Sequence, residues 1–379
     1  MASMDILPFH RKTGATVNVD AIVHNLNIIQ ETIGAASVCA VIKANAYGHG
    51  DVEVAKKLEQ CGIPWLAVAL VEEGIRLRKN GVKSPILVLG GALGNDYDTL
   101  IEHQLTPTIF SLEHLKELHL AAGDQDKAFH LKIDTGMARL GLRTHELPEF
   151  LEQLTHYTNL RLEGVLTHLA NADNRDHERN QTQLEAFNAA LAIIEEAGLS
   201  PKWRHVTNSA GTLTLPDPEG NLVRVGLALY GLDPVTPRTD ARLIPAMSWQ
   251  TSVIHIKTIQ PGDRVSYGGQ WTAPEQSRIA TLPVGYADGY PRSLATRAEV
   301  LIRGQRAPIV GNICMDLCMV DITGVADAKM GDEVVLLGAQ GDEIISAYEL
   351  ASWAETIPYE ITTGISYRVP RCYLSGEEG

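Results

Sequence analysis

The chain has 379 residues, 45% hydrophobic and 21% charged, which is enough for about two globular domains of ordinary size. A net charge of −14, with no lysine-arginine block able to track a phosphate backbone, argues against nucleic acid as a partner. No apolar run approaches the roughly 18 residues of a membrane span, and five scattered cysteines (Cys39, Cys61, Cys314, Cys318, Cys372) without CxxC or Cys/His spacing favour reduced thiols in a cytoplasmic protein over disulfides or a metal site. The opening "MASMDILPFHRK" lacks the apolar core of a signal sequence, and Met4 is expected to be the native start.

A first strand, "ATVNVD", and a helix, "AIVHNLNIIQETIG", open the pattern, and either domain could claim them. Eight short apolar or β-branched runs follow: "SVCAVIK", "WLAVAL", "PILVLG", "TPTIF", "AFHLKID", "LEGVLTHL", "WRHVTN" and "LVRVGLALYG". Segments between them, such as "DVEVAKKLEQCG" and "NQTQLEAFNAALAIIEEAGL", place apolar residues at helical spacing and end near a glycine. Eight strand-helix alternations predict an α/β fold, a (β/α)8 TIM-type barrel over residues 15–240. An open doubly wound sheet is the alternative, but no GxGxxG follows the first strand. Past the connector "DPVTPRTDARLIP" helices become scarce, and "AMSWQTSVIHIKTI", "SRIATLPVGY", "AEVLIRG" and "EVVLLG" are split by turn signals. Residues 241–379 are therefore expected to form a mainly antiparallel β domain, interrupted by the helix "ISAYELASWAET", with residues 1–14 packing against it.

In such a barrel, reactive groups gather at the C-terminal ends of the strands. Here the first run ends at Lys43, and the fifth enters "KIDTGMARLG" with Lys132, Asp134 and Arg139. The sixth reaches His168, the seventh Asn208 and Ser209, and the eighth holds Arg224 followed by Gly226. Taken singly, each has an ordinary reading: a lysine after an apolar run usually lays its stem over the core edge, and a single histidine is usually a hydrogen-bonded core residue. Together these cations call for an anion, because few acids lie among them. "SAGTLTL" offers Ser209 and free N–H groups at a helix start, and "VGLALYG" offers Gly226 where a backbone can approach closely; both suit a phosphate. A lysine beside a phosphate site without metal ligands suggests a Schiff base with pyridoxal phosphate, although a lysine-type phosphosugar aldolase also satisfies these facts.

Nearly the whole chain resembles the barrel-fold, pyridoxal-phosphate-dependent alanine racemase family. The resemblance rests on "AVIKANAYGHG", "LKIDTGMARLG", "GVLTHLANAD", "TNSAG" and "VRVGLALYG" in order, then on "SYGG", "LPVGYADGY", "GNICMDLCMVDIT" and "IPYEITTGIS". It implies an isomerase that interconverts L-alanine and D-alanine on pyridoxal 5'-phosphate and supplies D-alanine for peptidoglycan. Lys43 would carry the cofactor as an internal aldimine, and Tyr47, Ser209, Gly226, Leu227 and Tyr359 would hold its phosphate. His168 and Asn208 would complete the cofactor site, and Arg224 would face the pyridine nitrogen and leave it unprotonated, weakening the electron sink so that a proton moves without transamination. Two bases on opposite faces are implied: Lys43, and Tyr267 from the partner of a homodimer whose second domains complete each other's sites. A phenol is a poor base at neutral pH unless cations or hydrogen bonds assist it, a task that falls to His168 beside Arg224. Arg139 and the backbone at Met315 would bind the substrate carboxylate. Lys132, carbamylated, would be the anionic partner of Arg139, with Asp316 in support, and Tyr286 with Tyr359 would narrow the entrance.

Without the resemblance, Tyr267, Tyr286 and Tyr359 would be ordinary half-buried or turn-flanking aromatics. The competing functions are a broader small-amino-acid (serine) racemase, a decarboxylase on the same architecture, and a non-catalytic cofactor-binding protein. The last lacks a second β domain in its known forms, and the decarboxylase calls for an acid and a cysteine that "NICMDLC" matches only loosely.

Overall fold

A computed structural model describes residues 11–92, 96–174, 178–215, 220–235 and 242–376. The expected start at Met4 and the middle of the proline-bearing connector, 236–241, lie outside the described residues. The chain divides into two units, one of them Val19–Pro245 and the other Met1–Asn18 with Ala246–Gly379.

Strand β1 (Gly14–Asn18), which either unit could claim, pairs antiparallel with Met247–Ser252 and parallel with Arg371–Leu374. Ala15 and Val17 are buried between these partners. The barrel unit therefore begins at Val19 rather than 15, with helix α1 (Val19–Ile33), and runs to Pro245 rather than 240.

The eight expected runs form β2 (Ser37–Val41), β3 (Trp65–Val68), β4 (Ile86–Val88), β5 (Thr106–Ile109), β6 (Lys127–Lys132), β7 (Leu160–Leu166), β8 (Trp203–His205) and β9 (Leu222–Val225). They lie parallel in the order β8-β7-β6-β5-β4-β3-β2-β9. The nearly closed sheet is joined between β8 and β9 by single backbone bonds, Asn221 N–H to Arg204 O at 3.1 Å and Arg224 N–H to Thr207 O at 3.0 Å. Every residue of β3 and β9 is buried, as expected of strands covered on both faces.

The helices are α2 (Lys43–Tyr47), α3 (Asp51–Gln60), α4 (Val71–Lys79), α5 (Asp96–Glu102), α6 (Leu112–Ala122), α7 (Leu147–Leu154), α8 (Glu178–Glu196) and α9 (Ser209–Thr214). Their apolar stripes bury one face: α1 hides Ile22, Leu26, Ile29 and Ile33, spaced three and four apart. The connections from strand ends into α2, α4 and α9 are short, which holds what they carry close to the barrel rim.

The second unit is mainly antiparallel. One sheet runs in the order Gln305–Pro308, Glu299–Ile302, Glu333–Gln340, Met247–Ser252, β1, Arg371–Leu374, with Glu343–Ile345 against Glu333–Gln340. A second joins His255–Ile259, Ser277–Leu282 and Cys318–Asp321. The expected helix is α10 (Ala347–Ala354), capped by Ser346, and α11 (Pro358–Gly364) follows it.

Candidate active site

β2 ends at Val41, and Lys43 opens a tight turn in which Ala44, Asn45, Ala46 and Tyr47 all have left-handed φ, between 51° and 55°. Such backbone costs an L-residue about 1–2 kcal/mol each, so the turn needs support. Ala46 N–H bonds Ile42 O at 2.9 Å and Gly48 N–H bonds Ala44 O at 3.0 Å. Ala44 N–H bonds Glu73 Oε1 at 2.6 Å, and Asp51 N–H bonds Asn45 Oδ1 at 3.2 Å. Asp51 in turn accepts from Arg76 Nε at 2.9 Å. The Tyr47 ring lies 5.2 Å from that of Tyr230, which stacks on His49 and donates to Val41 O.

Around Lys43 the rim gathers cations that perturb one another. Burial lowers the Lys43 ammonium below the ordinary lysine range; Arg139 and Arg224 add to that, and Glu73 opposes it. Lys132 is pushed down to about 7 by burial, then by Arg224 and Arg139, against the pull of Asp134. Burial and the same cations hold His168 well below the usual imidazole range, so its ring is neutral and can act on a neighbour only through hydrogen bonds. Arg224, buried in β9, is drawn down to about 10 by burial yet stays charged at neutral pH. Its guanidinium donates to the carbonyls of His205 (2.6 Å), Val206 (3.0 Å) and Thr167, and approaches His168 Nδ1 at 3.4 Å.

Arg139 rides on the loop after β6, where Asp134 Oδ1 accepts from Gly136 and Ala138 N–H, each at 3.0 Å. The α9 start is less open than expected, because Asn208 Oδ1 takes the Gly211 N–H at 3.0 Å. Ser209 Oγ accepts from Gly226 N–H at 3.0 Å and Ala228 N–H at 3.3 Å, leaving its own O–H to donate. A Cβ on Gly226 would lie 2.4 Å from Tyr47 Oη, so only glycine lets that hydroxyl reach the backbone. Tyr47, Ser209, Gly226 and Leu227 thus line one cradle.

The second unit carries its own group of expected residues. Tyr267 follows Ser266, whose φ is 65°, and Asn312 Nδ2 holds Tyr267 O at 2.6 Å while the tyrosine itself is 75% exposed. Tyr286 N–H bonds Cys314 O and Ala287 N–H bonds Met315 O, so Tyr286 and Met315 sit on adjoining segments, both exposed. A Cβ on Gly285 would lie 2.4 Å from Met315 O, the close approach that joins those segments. Asp316 pairs with Arg368 at 2.7 Å, and Tyr359 lies in the first turn of α11.

Three features escape the sequence reading. Glu73 looks like a routine first-turn acid of α4. Gln183 on α8 donates to His168 O and to Thr135 Oγ1 across a long gap in sequence. His130 and His205 bond at 2.9 Å inside the barrel; their signal is the two-residue spacing of His130 and Lys132, which puts both on one face of β6.

The rim fits a phosphate-bearing aldehyde: an amine biased toward its neutral, nucleophilic form, a surplus of positive charge, and a cradle at Gly226 lined by the Tyr47 and Ser209 hydroxyls. Fold and rim define a class, a (β/α)8-barrel protein with a cation-lined rim at the C-terminal ends of its strands. The family models "Alanine racemase, N-terminal domain" and "Alanine racemase, C-terminal domain" match residues 17–234 and 246–373. A curated alanine racemase of Halothermothrix orenii is 41% identical over 96% of this chain and 97% of its own length. The crystal structure of alanine racemase from Bacillus anthracis with bound L-Ala-P superposes with a TM-score of 0.93 at 40% identity, over 98% of this chain and 97% of that one. That of the Bartonella henselae alanine racemase with covalently bound pyridoxal phosphate gives a TM-score of 0.87 at 30% identity, over 96% and 99%. The chain belongs to the alanine racemase family.

Proposed function

We infer that this chain is an isomerase that interconverts L-alanine and D-alanine with pyridoxal 5'-phosphate, supplying D-alanine for peptidoglycan. The observation that carries this reading is the end-to-end family match, with both domain models filled in order. Bound pyridoxal phosphate supplies an electron sink that makes the α-proton of an attached amino acid removable.

The chain's own residues do the rest. Lys43 would hold the cofactor, and its Nζ would move a proton on one face of the α-carbon, work suited to an amine whose burial lowers its basicity. Tyr267 Oη serves the other face. Tyr47, Ser209, Gly226, Leu227 and Tyr359 bind the phosphate, with Asn208 capping the α9 turn and His168 against Arg224. Arg224 would face the ring nitrogen and, because a guanidinium cannot accept a hydrogen bond, would disfavour its protonation. Arg139 and the Met315 backbone take the substrate carboxylate. Lys132 carries a carbamate as the anionic partner of Arg139, and its drop to about 7 supports this, because only the neutral amine adds carbon dioxide. Asp316 orients this segment through Arg368, and Tyr286 with Tyr359 narrows the entrance to favour a small substrate.

The working form is a homodimer in which each second unit completes its partner's site. A partner that covers the exposed Tyr267 (75%), Met315 (53%), Ile357 (57%) and Tyr367 (95%) of the second unit would remove their apolar surface from water. The scattered cysteines, without disulfide or metal spacing, support a cytoplasmic setting for the enzyme.

The test is a visible spectrum of the purified chain with and without borohydride, then chiral analysis after incubation with L-alanine. A yellow cofactor band that borohydride abolishes, together with D-alanine formation, is expected; a chain that takes up no pyridoxal phosphate overturns the reading.

A further inference from the structure

Glu73 belongs to α4, yet its carboxylate bridges two loops at the rim. Oε2 accepts from Ala69 N–H at 2.8 Å and Leu70 N–H at 3.1 Å, closing the first turn of its own helix. Oε1 accepts from Ala44 N–H at 2.6 Å, the residue directly after Lys43. Ala44 begins the four-residue left-handed turn, so the bond falls at the start of that strained stretch, one residue after the lysine. A carboxylate taking three N–H groups from two segments is a charge-assisted clamp, stronger than neutral bonds of the same length. Ordinary capping explains two of those bonds. It does not explain the third, which crosses to the loop after another strand.

We propose that Glu73 is a positioning residue for Lys43: its carboxylate clamps the left-handed turn so that Nζ is held in line for proton transfer, and its charge offsets the surrounding cations. This rests on the racemase reading above. The charged groups facing Lys43 are Arg139 from the loop after β6 and Arg224 from β9, with Lys132 and His168 in the same cluster. The Glu73 carboxylate favours the charged amine of Lys43, in the opposite sense to both arginines. Removing its charge makes the lysine nitrogen easier to deprotonate.

The test compares holoenzymes of wild type, Glu73→Gln, Glu73→Asp and, as control, Glu59→Gln. Glu59 clamps Lys83 and Ser84 N–H in the same way on the next connection, at 2.7 and 2.5 Å, away from the rim. In Glu73→Gln the pH-dependent change in the bound-cofactor absorbance is expected to shift to lower pH. Its kcat should fall about ten- to hundredfold with a small change in KM for alanine, the scale of a misplaced reacting group. In Glu73→Asp the charge remains but the side chain is too short to span both loops, so kcat should fall while the absorbance transition stays near that of wild type. Glu59→Gln should lose thermal stability and keep the wild-type spectrum and kcat. If both Glu73 variants match Glu59→Gln, less stable but spectrally and kinetically normal, Glu73 is a structural cap and the inference fails. If Glu73→Gln does not fold, Glu73→Asp decides alone, and wild-type kcat in it overturns the inference. A wild type that binds no pyridoxal phosphate overturns the racemase reading instead.

Discussion

Two positions at the rim do more than their residue type suggests. At Gly226 the missing Cβ lets Tyr47 Oη approach the backbone, and an added methyl would have to displace a hydroxyl 2.4 Å away in a buried cradle. Gly226→Ala is therefore expected to weaken pyridoxal phosphate binding by about tenfold or more, which is roughly 1.4 kcal/mol, measured by cofactor titration; adding Tyr47→Phe should restore part of the loss if the clash is its cause. Lys132 makes an electrostatic prediction. Its folded value, about 7, lies below that of a free lysine, so between about pH 7 and 10 the unfolded chain binds the proton that the folded chain has released. Stability contributed by this site therefore rises with pH across that window. In carbon-dioxide-free buffer, urea unfolding of Lys132→Met should lack that rise, and equal slopes for wild type and variant would refute the assignment.

Among elements, the short connections depend on polar side chains that replace missing backbone partners. Arg78, at the end of α4, donates to the carbonyls of His103 (3.1 Å), Val82 (2.9 Å), Ser84 (2.8 Å) and Gln104 (3.0 Å). One guanidinium thereby ties a helix end to the loops entering β4 and β5, a geometry that a lysine's single ammonium cannot reproduce. Arg78→Ala should lower barrel stability by about 2 kcal/mol, since charged hydrogen bonds are worth about 1.5–3 kcal/mol each and solvent replaces some of them. Denaturant titration would show the drop, with activity per folded molecule near normal. The same logic accounts for Asp134, which organises the Arg139 loop through two backbone N–H groups.

For the whole molecule, the proposed shared-site dimer makes a prediction that a self-contained monomer does not. Lys43→Ala and Tyr267→Phe chains should each be inactive, with the cofactor band kept in Tyr267→Phe. After co-refolding, mixed dimers hold one site with both bases intact, so about a quarter of all sites should regain activity. Sedimentation should give a species of twice 41.2 kDa. Failure of complementation, in mixtures shown to contain heterodimers, would place both bases on one chain.

Much of this architecture follows from local pattern. Eight apolar runs alternating with helical segments predict a parallel sheet, closed as a barrel once no GxGxxG supports the open doubly wound form, and the strand-end positions of Lys43, Lys132, His168 and Arg224 follow from that topology. The quoted motifs carry the family likeness because those residue types recur in one order along the chain. What local pattern cannot express is contact between segments far apart in sequence. The allegiance of β1 depended on pairing with strands more than 200 residues away, so it and the boundary at Val19 were settled only by the fold. The neutral state of His168 depends on its burial and then on the cations around it, and the occupied N–H at α9 on which rotamer Asn208 adopts. Glu73 is the clearest case: in sequence it is an acid in a helix's first turn, and only folding brings Ala44 N–H, 29 residues away, within 2.6 Å of its carboxylate.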